Sequence, residues 1–327
     1  MKLTEPRLDR QCRMRFPFRA PSPFTLWAAR LLRRWSFAFR HFSLALLLLL
    51  GAPPRLSAQP STDASAGAAA LNLSGLTGGG SLAARALANQ VNDPTAPMTF
   101  IQFRDVFAPS VPGYDTPGNL LQIEPCFPIF PSRLLPFEQL VKMTLPIPTS
   151  PNPGSQTGLG DLALFDLATF KLPWGGKWGL GPVFVFPTAT PETLGQGKWQ
   201  AGPAAALIYT GIKNLTIGVV AENPISFAGN SSRPFVNTLS LTPTLTYNLP
   251  HGWFAGYSDF DLSFDWTSGG AATIPLGVQA GKVFKIGKVP VCLSLEAAWV
   301  PVRPEGTPEW LVCLEFTVIY KTFRGRH

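Results

Sequence analysis

From residue 98 to residue 323, apolar and polar side chains alternate with a period of two. In NTLSLTPTLTYN (237–248), Thr238, Ser240, Thr242, Thr244, Thr246 and Asn248 fall on one face. Leu239, Leu241, Pro243, Leu245 and Tyr247 fall on the other. Successive side chains of an extended chain point to opposite sides, so this is a strand with one wet and one apolar face. The last such segment repeats the pattern, with Cys313, Glu315, Thr317 and Lys321 opposing Leu314, Phe316, Val318 and Tyr320. The first, TFIQFRDVF, sets Gln102 and Arg104 against Ile101 and Phe103 until Asp105 breaks the alternation. Counted along the chain, the pattern predicts about twelve strands, near residues 98–107, 118–130, 136–147, 157–172, 177–189, 197–210, 214–227, 236–249, 252–268, 272–285, 289–302 and 308–323.

Many of these segments exceed the roughly five or six residues of a soluble strand and suit the roughly nine to eleven of a tilted membrane-crossing strand. Their connections alternate in character. PWGGK, GIKN, LPHG and KIGK are tight turns, whereas APSVPGYDTPG, TSPNPGSQ, ATPETLGQG and AGNSSRPF are longer and polar. Short turns at one end and longer loops at the other are the pattern of an outer-membrane barrel, the short turns being periplasmic. An even number of antiparallel strands closes the sheet and leaves no unpaired edge in lipid. A soluble sandwich or jelly roll also alternates. Against it stand Trp174, Trp178, Trp199, Trp253, Trp266, Trp299 and Trp310, which end the apolar faces near the turns as interfacial girdles do. A last long strand carrying Tyr320 and Phe323 also fits the aromatic C-terminal strand of outer-membrane proteins. The expected fold is therefore all-β: a transmembrane antiparallel up-and-down β-barrel of about twelve strands.

Ahead of the strands, SLAARALANQVNDP offers Ser81 as a cap, good helix formers and a stop at Pro94, which predicts one short helix over 81–91. Before it runs a small-residue linker without apolar period. The linker is preceded by a leader in which RLLRRWSFAFRH (30–41) runs into the apolar FSLALLLLLGA (42–52), with a small residue at Ala58. That block is shorter than the roughly 20 residues needed to cross a bilayer. It reads as an export signal cleaved after Ala58, with translation starting at Met1 or Met14; a retained amphipathic anchor is the alternative. The expected organisation is a leader over 1–58, a linker with the helix over 59–97, the barrel over 98–323 and a tail over 324–327.

Charge changes the picture only once it is located. The chain of 327 residues carries a formal +8, but the first 58 residues hold 11 Lys and Arg against 2 Asp and Glu, leaving 16 against 17 beyond them. The body is near neutral, and no nucleic-acid partner is expected. With 34 prolines, 30 glycines and 14% charged residues, the composition favours turns over amphipathic helices. Cys126, Cys292 and Cys313 remain after the leader; an odd, widely spaced set supports neither a disulfide framework nor a zinc site. A Cys292–Cys313 bridge is conceivable, but the three read as unpaired strand residues.

Several stretches also resemble a known family. TGLGDLALFDLATF (157–170), WGLGPVFVFPTAT (178–190), LGQGKWQAGPAAAL (194–207), SFAGNSSRPFVNTLSLTPTLTYNLPHGW (226–253) and RPEGTPEWLVCLEFTVIY (303–320) are similar, in order, to the outer-membrane β-barrel family named for the MetA pathway of phenol degradation. The resemblance covers roughly residues 85–323 and implies an outer-membrane transporter, while the pathway name is a weak guide to substrate.

The candidate chemistry centres on DFDLSFDW (259–266). Strict alternation turns Asp259, Asp261, Ser263 and Asp265 to the inside and Phe260, Leu262, Phe264 and Trp266 to lipid or the rim. Three readings apply: a solvated inner wall, an acidic strip that biases a pore towards cations, or oxygen ligands for Ca²⁺. With Thr242, Thr244, Glu296 and Glu315 these residues form the candidate lumen lining. Arg85 is the single charge of the short helix, which as a lumenal plug pairs it with Asp261 or Glu315; the alternative is a loose, solvated periplasmic stub. No cofactor, metal or catalytic residue is assigned. His41 leaves with the leader, His251 falls in a predicted turn and His327 ends the chain, so no histidine is placed to activate a serine. A carboxylate-pair hydrolase using Asp259 or Asp265 is a distant alternative, and a structural or adhesive barrel a nearer one. The expected partners are outer-membrane lipid, a small-molecule solute, apolar or aromatic by the resemblance, and the barrel assembly machinery during biogenesis.

Overall fold

The computed structural model describes residues 80–133, 135–151 and 156–320. The leader, the linker before residue 80, the side chains of Ser81, Leu82 and Ala83, and the tail lie outside them.

Helix α1 spans Gly80–Val91. Twelve staves follow it: β1 Thr99–Ala108, β2 Gly118–Ile129, β3 Glu138–Thr149, β4 Leu162–Lys171, β5 Lys177–Phe186 and β6 Lys198–Tyr209, then β7 in two pieces, Leu215–Glu222 and Ile225–Gly229. Next come β8, Thr238–Asn248, and β9, again in two pieces, Trp253–Tyr257 and Leu262–Asp265. The last three are β10 Ala271–Ile286, β11 Val289–Val302 and β12 Trp310–Tyr320. Each stave pairs antiparallel with its sequence neighbours, and β12 returns to β1 with Tyr320 opposite Thr99 and Glu315 opposite Arg104. The sheet closes, so no row of backbone donors is left unpaired at an edge. Pro224 has no N–H to give the ladder, and β7 is interrupted there.

Burial along the staves reports which face is which. On β11, Ser294, Glu296, Ala298 and Val300 are buried while Leu293, Leu295, Ala297 and Trp299 between them are exposed. The exposed set continues round the barrel through Leu180, Leu207, Leu245, Leu276 and Val278, the last 68% exposed. Trp174, Trp178 and Trp253 rim the short-turn end; Trp199, Trp266, Trp299 and Trp310 rim the loop end, and all seven are exposed. An apolar belt of this extent between two aromatic rims is a surface made for lipid rather than water. Two carboxylates interrupt it. Asp105 accepts a bond from Asn119 Nδ2 at 2.6 Å close to the loop end of β1. Asp166 sits in the middle of β4 between the inward Phe165 and Leu167, and its Oδ1 is buried without a hydrogen-bond partner among the described residues.

The expected polar interior is found on β8, where Thr244, Thr246 and Asn248 are buried, and on β11 and β12. It fails on β4–β6, whose inward residues Phe165, Leu167, Val183, Ala204 and Ala206 pack into one apolar cluster. That quarter of the inner wall is thus a core in its own right.

Short turns gather at one end, as two-residue Gly287-Lys288 between β10 and β11 shows, with Gly287 at φ 61° in the left-handed region that such a hairpin demands. Helix α1 lies at that end. Leu87 and Ala88 pack, with Ala96 and Met98, on the inward residues Phe254, Val283, Cys292 and Ile319 of β9–β12. Asn92 donates to Asn248 Oδ1 of β8 at 2.7 Å, and the Thr95 carbonyl accepts from Lys177 Nζ of β5 at 2.9 Å. The segment 84–98 therefore straps across the short-turn mouth, held by staves on opposite sides.

Candidate functional site

The site is built around an irregularity in β9. Its first piece pairs Phe254 with Asn248, its second Leu262 with Leu241, so the register on β8 slips by one between them. One extra residue forms a bulge over 258–261. Ser258 is fully buried, and Phe260 is buried in the lumen against Ala298 and Cys313, with Val106 and Leu311 beside it. This corrects the sequence reading, which sends Phe260 to lipid: alternation counts one residue per pleat, and an inserted residue reverses it. Beyond the bulge, Ser263 pairs with Ser240 and Asp265 with Thr238 on inward positions, while Leu262 and Phe264 face out. Gly277 makes room for the bulge, since a Cβ there would come within 2.5 Å of Ser258 Oγ.

Behind the bulge lies a charge cluster. Arg104 of β1 reaches Glu296 of β11 at 3.5 Å and Glu315 of β12 at 3.8 Å, and donates to the Asp259 carbonyl at 3.3 Å. The second Glu296 oxygen accepts the Asp259 backbone N–H at 3.0 Å, and Gln279 of β10 donates to Asp259 Oδ1 at 3.0 Å. Carboxylate oxygens of Asp259, Glu296 and Glu315 all lie within 4.8 Å of one another. The cation beside them is the Arg104 guanidinium, within 4 Å of Glu296 and Glu315 and bonded to the Asp259 backbone carbonyl. A second pair stands on the adjoining staves, where Lys142 of β3 meets Glu124 of β2 at 3.1 Å and Thr144 donates to the same carboxylate at 3.3 Å. A third, Lys177 with Glu138 at 2.9 Å, fixes the strap end.

The three aspartates of DFDLSFDW do not act as one strip. Asp259 is tied into the Arg104 cluster. Asp261 is exposed in the lumen and takes a short bond from Thr242 Oγ1. Asp265 instead caps the following turn, accepting from Thr267 N at 2.9 Å, Thr267 Oγ1 at 2.6 Å and Ser268 Oγ at 2.8 Å. Thr244 is buried on the inner face of β8. Arg85 makes no ion pair among the described residues, and Glu315, one of its two expected partners, is engaged by Arg104. The side chains that seat α1 are Leu87 and Ala88. Cys292 and Cys313 face inward on adjacent staves but lie opposite Thr317 and Glu296, not each other, and both are free thiols.

Sequence reasoning missed Glu124, Lys142 and Glu222, isolated charges in largely apolar strands, and the pairing of Arg104 with Glu296 and Glu315. Their inward position on β2, β3 and β7 was the available signal. Toward the loop end these residues floor a cavity of about 760 Å³ that reaches Pro308 and Leu194 in the loops. Asp161 braces one wall of loops, accepting from Ala189 N at 3.2 Å and Gln196 N at 2.6 Å.

A closed twelve-stave barrel with a lipid-facing belt and a charged, cavity-bearing interior is an integral-membrane β-barrel. No family model matches the chain, and no curated protein matches it. Among solved structures it is similar to the COG4313 outer membrane channel from Pseudomonas putida F1, at 15% identity over 70% of this chain and 99% of that one, with a TM-score of 0.47. It is also similar to the KdgM porin, at 11% identity over 69% and 99% of the two chains, with a TM-score of 0.40.

Proposed function

We propose that the protein is a bacterial outer-membrane channel for small solutes, biased towards cations. The observation that carries this reading is the charge of the inner wall above the strap. Six carboxylates (Glu124, Glu222, Asp259, Asp261, Glu296 and Glu315) face two cations, Arg104 and Lys142. Rings or ladders of carboxylates draw cations into a pore and repel anions. The short turns face the periplasm in this reading, which brings the strap to the periplasmic mouth and the loops to the cell surface. The motif resemblance to the MetA-pathway barrel family supports a transporter and leaves the solute open. The test is the reversal potential of single channels in a planar bilayer under a salt gradient. Glu222→Gln with Asp261→Asn lowers the cation preference, while Asp265→Asn, a turn cap, leaves it unchanged. A wild-type channel that prefers anions refutes the bias.

The strap favours a second reading, a closed structural barrel. Such a barrel shows no openings in the same recording.

A further inference from the structure

The cavity toward the loop end has two chemically different walls, and its charges do not cancel evenly. Its cations are both engaged: Arg104 by Glu296 and Glu315, Lys142 by Glu124 at 3.1 Å. Its acids are not. Asp261 is held only by the hydroxyl of Thr242, and Glu222 has no ion pair within 4 Å among the described residues. The two are near neighbours, because Glu222 lies opposite Ser240, the next inward residue to Thr242 on β8. The remaining wall is greasy: Phe260, Val106 and Leu311 on one side, Phe165 and Val183 on the other. At about 760 Å³ the space falls inside the roughly 300–1,000 Å³ of small-molecule sites, which combine apolar walls with a few directed polar groups.

We infer that this cavity is a binding site for a small amphipathic organic cation, an ammonium carried on an apolar or aromatic body. The ammonium sits between Asp261 and Glu222, and the body lies against Phe260 and Phe165. An inorganic cation leaves the apolar wall unused, and an organic anion meets two uncompensated carboxylates. The inference rests on the channel reading for access to the cavity but not for binding itself.

The experiment is calorimetric titration of the detergent-solubilised full chain with three probes: phenethylammonium, methylammonium and phenylacetate. Phenethylammonium is expected to bind at least about tenfold tighter than either of the others, since it alone satisfies both walls. Glu222→Gln with Asp261→Asn weakens phenethylammonium about tenfold and leaves phenylacetate no weaker. If that double variant fails to refold, Asp261→Asn alone, at an exposed side chain, carries the same test. Equal binding of phenylacetate, binding of methylammonium as tight as phenethylammonium, or an affinity indifferent to these substitutions overturns the site. Binding without any bilayer conductance keeps the site and refutes the channel; cation-selective conductance without binding does the reverse.

Discussion

At the scale of single residues, the decisive quantity is which side of the wall a side chain faces. Leu245 is exposed on the outer belt and Thr242 looks inward beside Asp261. Leu245→Arg places a cation against the hydrocarbon and is expected to cost about 2–4 kcal/mol near the midplane, whereas Thr242→Arg gains carboxylate neighbours and is tolerated. Denaturant titration of the two variants refolded into vesicles checks this, and equal damage would mean the faces are reversed. Asp166 makes the complementary case. It is a lipid-facing carboxylate at mid-strand with an unpartnered buried oxygen, so Asp166→Leu is expected to raise stability by about 1–2 kcal/mol. A fall in the unfolding midpoint would show instead that Asp166 has a partner that makes it worth keeping.

At the scale of elements, the period-two pattern was legible wherever the two faces of a strand differ in chemistry. β8 runs Thr238–Asn248 within the predicted 236–249, and β11 coincides with the predicted 289–302. The pattern was mute where both faces are apolar: in LALFDLATFK of β4, Phe165 and Leu167 fill the lumen while Leu164 and Phe170 face out, and nothing in their chemistry separates them. It misled at β9, because a bulge is a property of register against both neighbours. The slip that turns Phe260 inward shows only when β8 and β10 are laid beside it. For the same reason DFDLSFDW looked like a strip of carboxylates, whereas Arg104, 155 residues before Asp259, is what organises the group. Phe260→Ala tests the element directly. It removes a buried ring and is expected to cost about 3 kcal/mol, the low end for such truncations, because the side chain borders a cavity rather than a sealed core. It also widens the lumen, so single-channel conductance rises; unchanged conductance would place the narrowest point elsewhere.

At the scale of the whole molecule, twelve staves enclose more space than the eight-stranded barrel that side chains alone can fill, and something must narrow it. Two devices share that task at different heights: the β9 bulge with its Arg104 cluster in the middle, and the strap of residues 84–98 across the short-turn mouth. The strap is held in two ways that can be separated. Leu87 and Ala88 anchor the helix by apolar contact, while Asn92 and Thr95 anchor the following segment by hydrogen bonds to Asn248 and Lys177. Arg85, the residue that charge alone singles out, has neither kind of anchor. Deleting residues 59–91 removes the helix and leaves the hydrogen-bonded segment, so a barrel recorded in bilayers should show a larger single-channel conductance than the undeleted chain. Leu87→Asp should reproduce most of that increase by expelling the helix from its apolar seat, and Arg85→Ala should not. If the deletion and Leu87→Asp both conduct as the undeleted chain does, the strap is a passive lid beside the ion path and the bulge alone sets the pore.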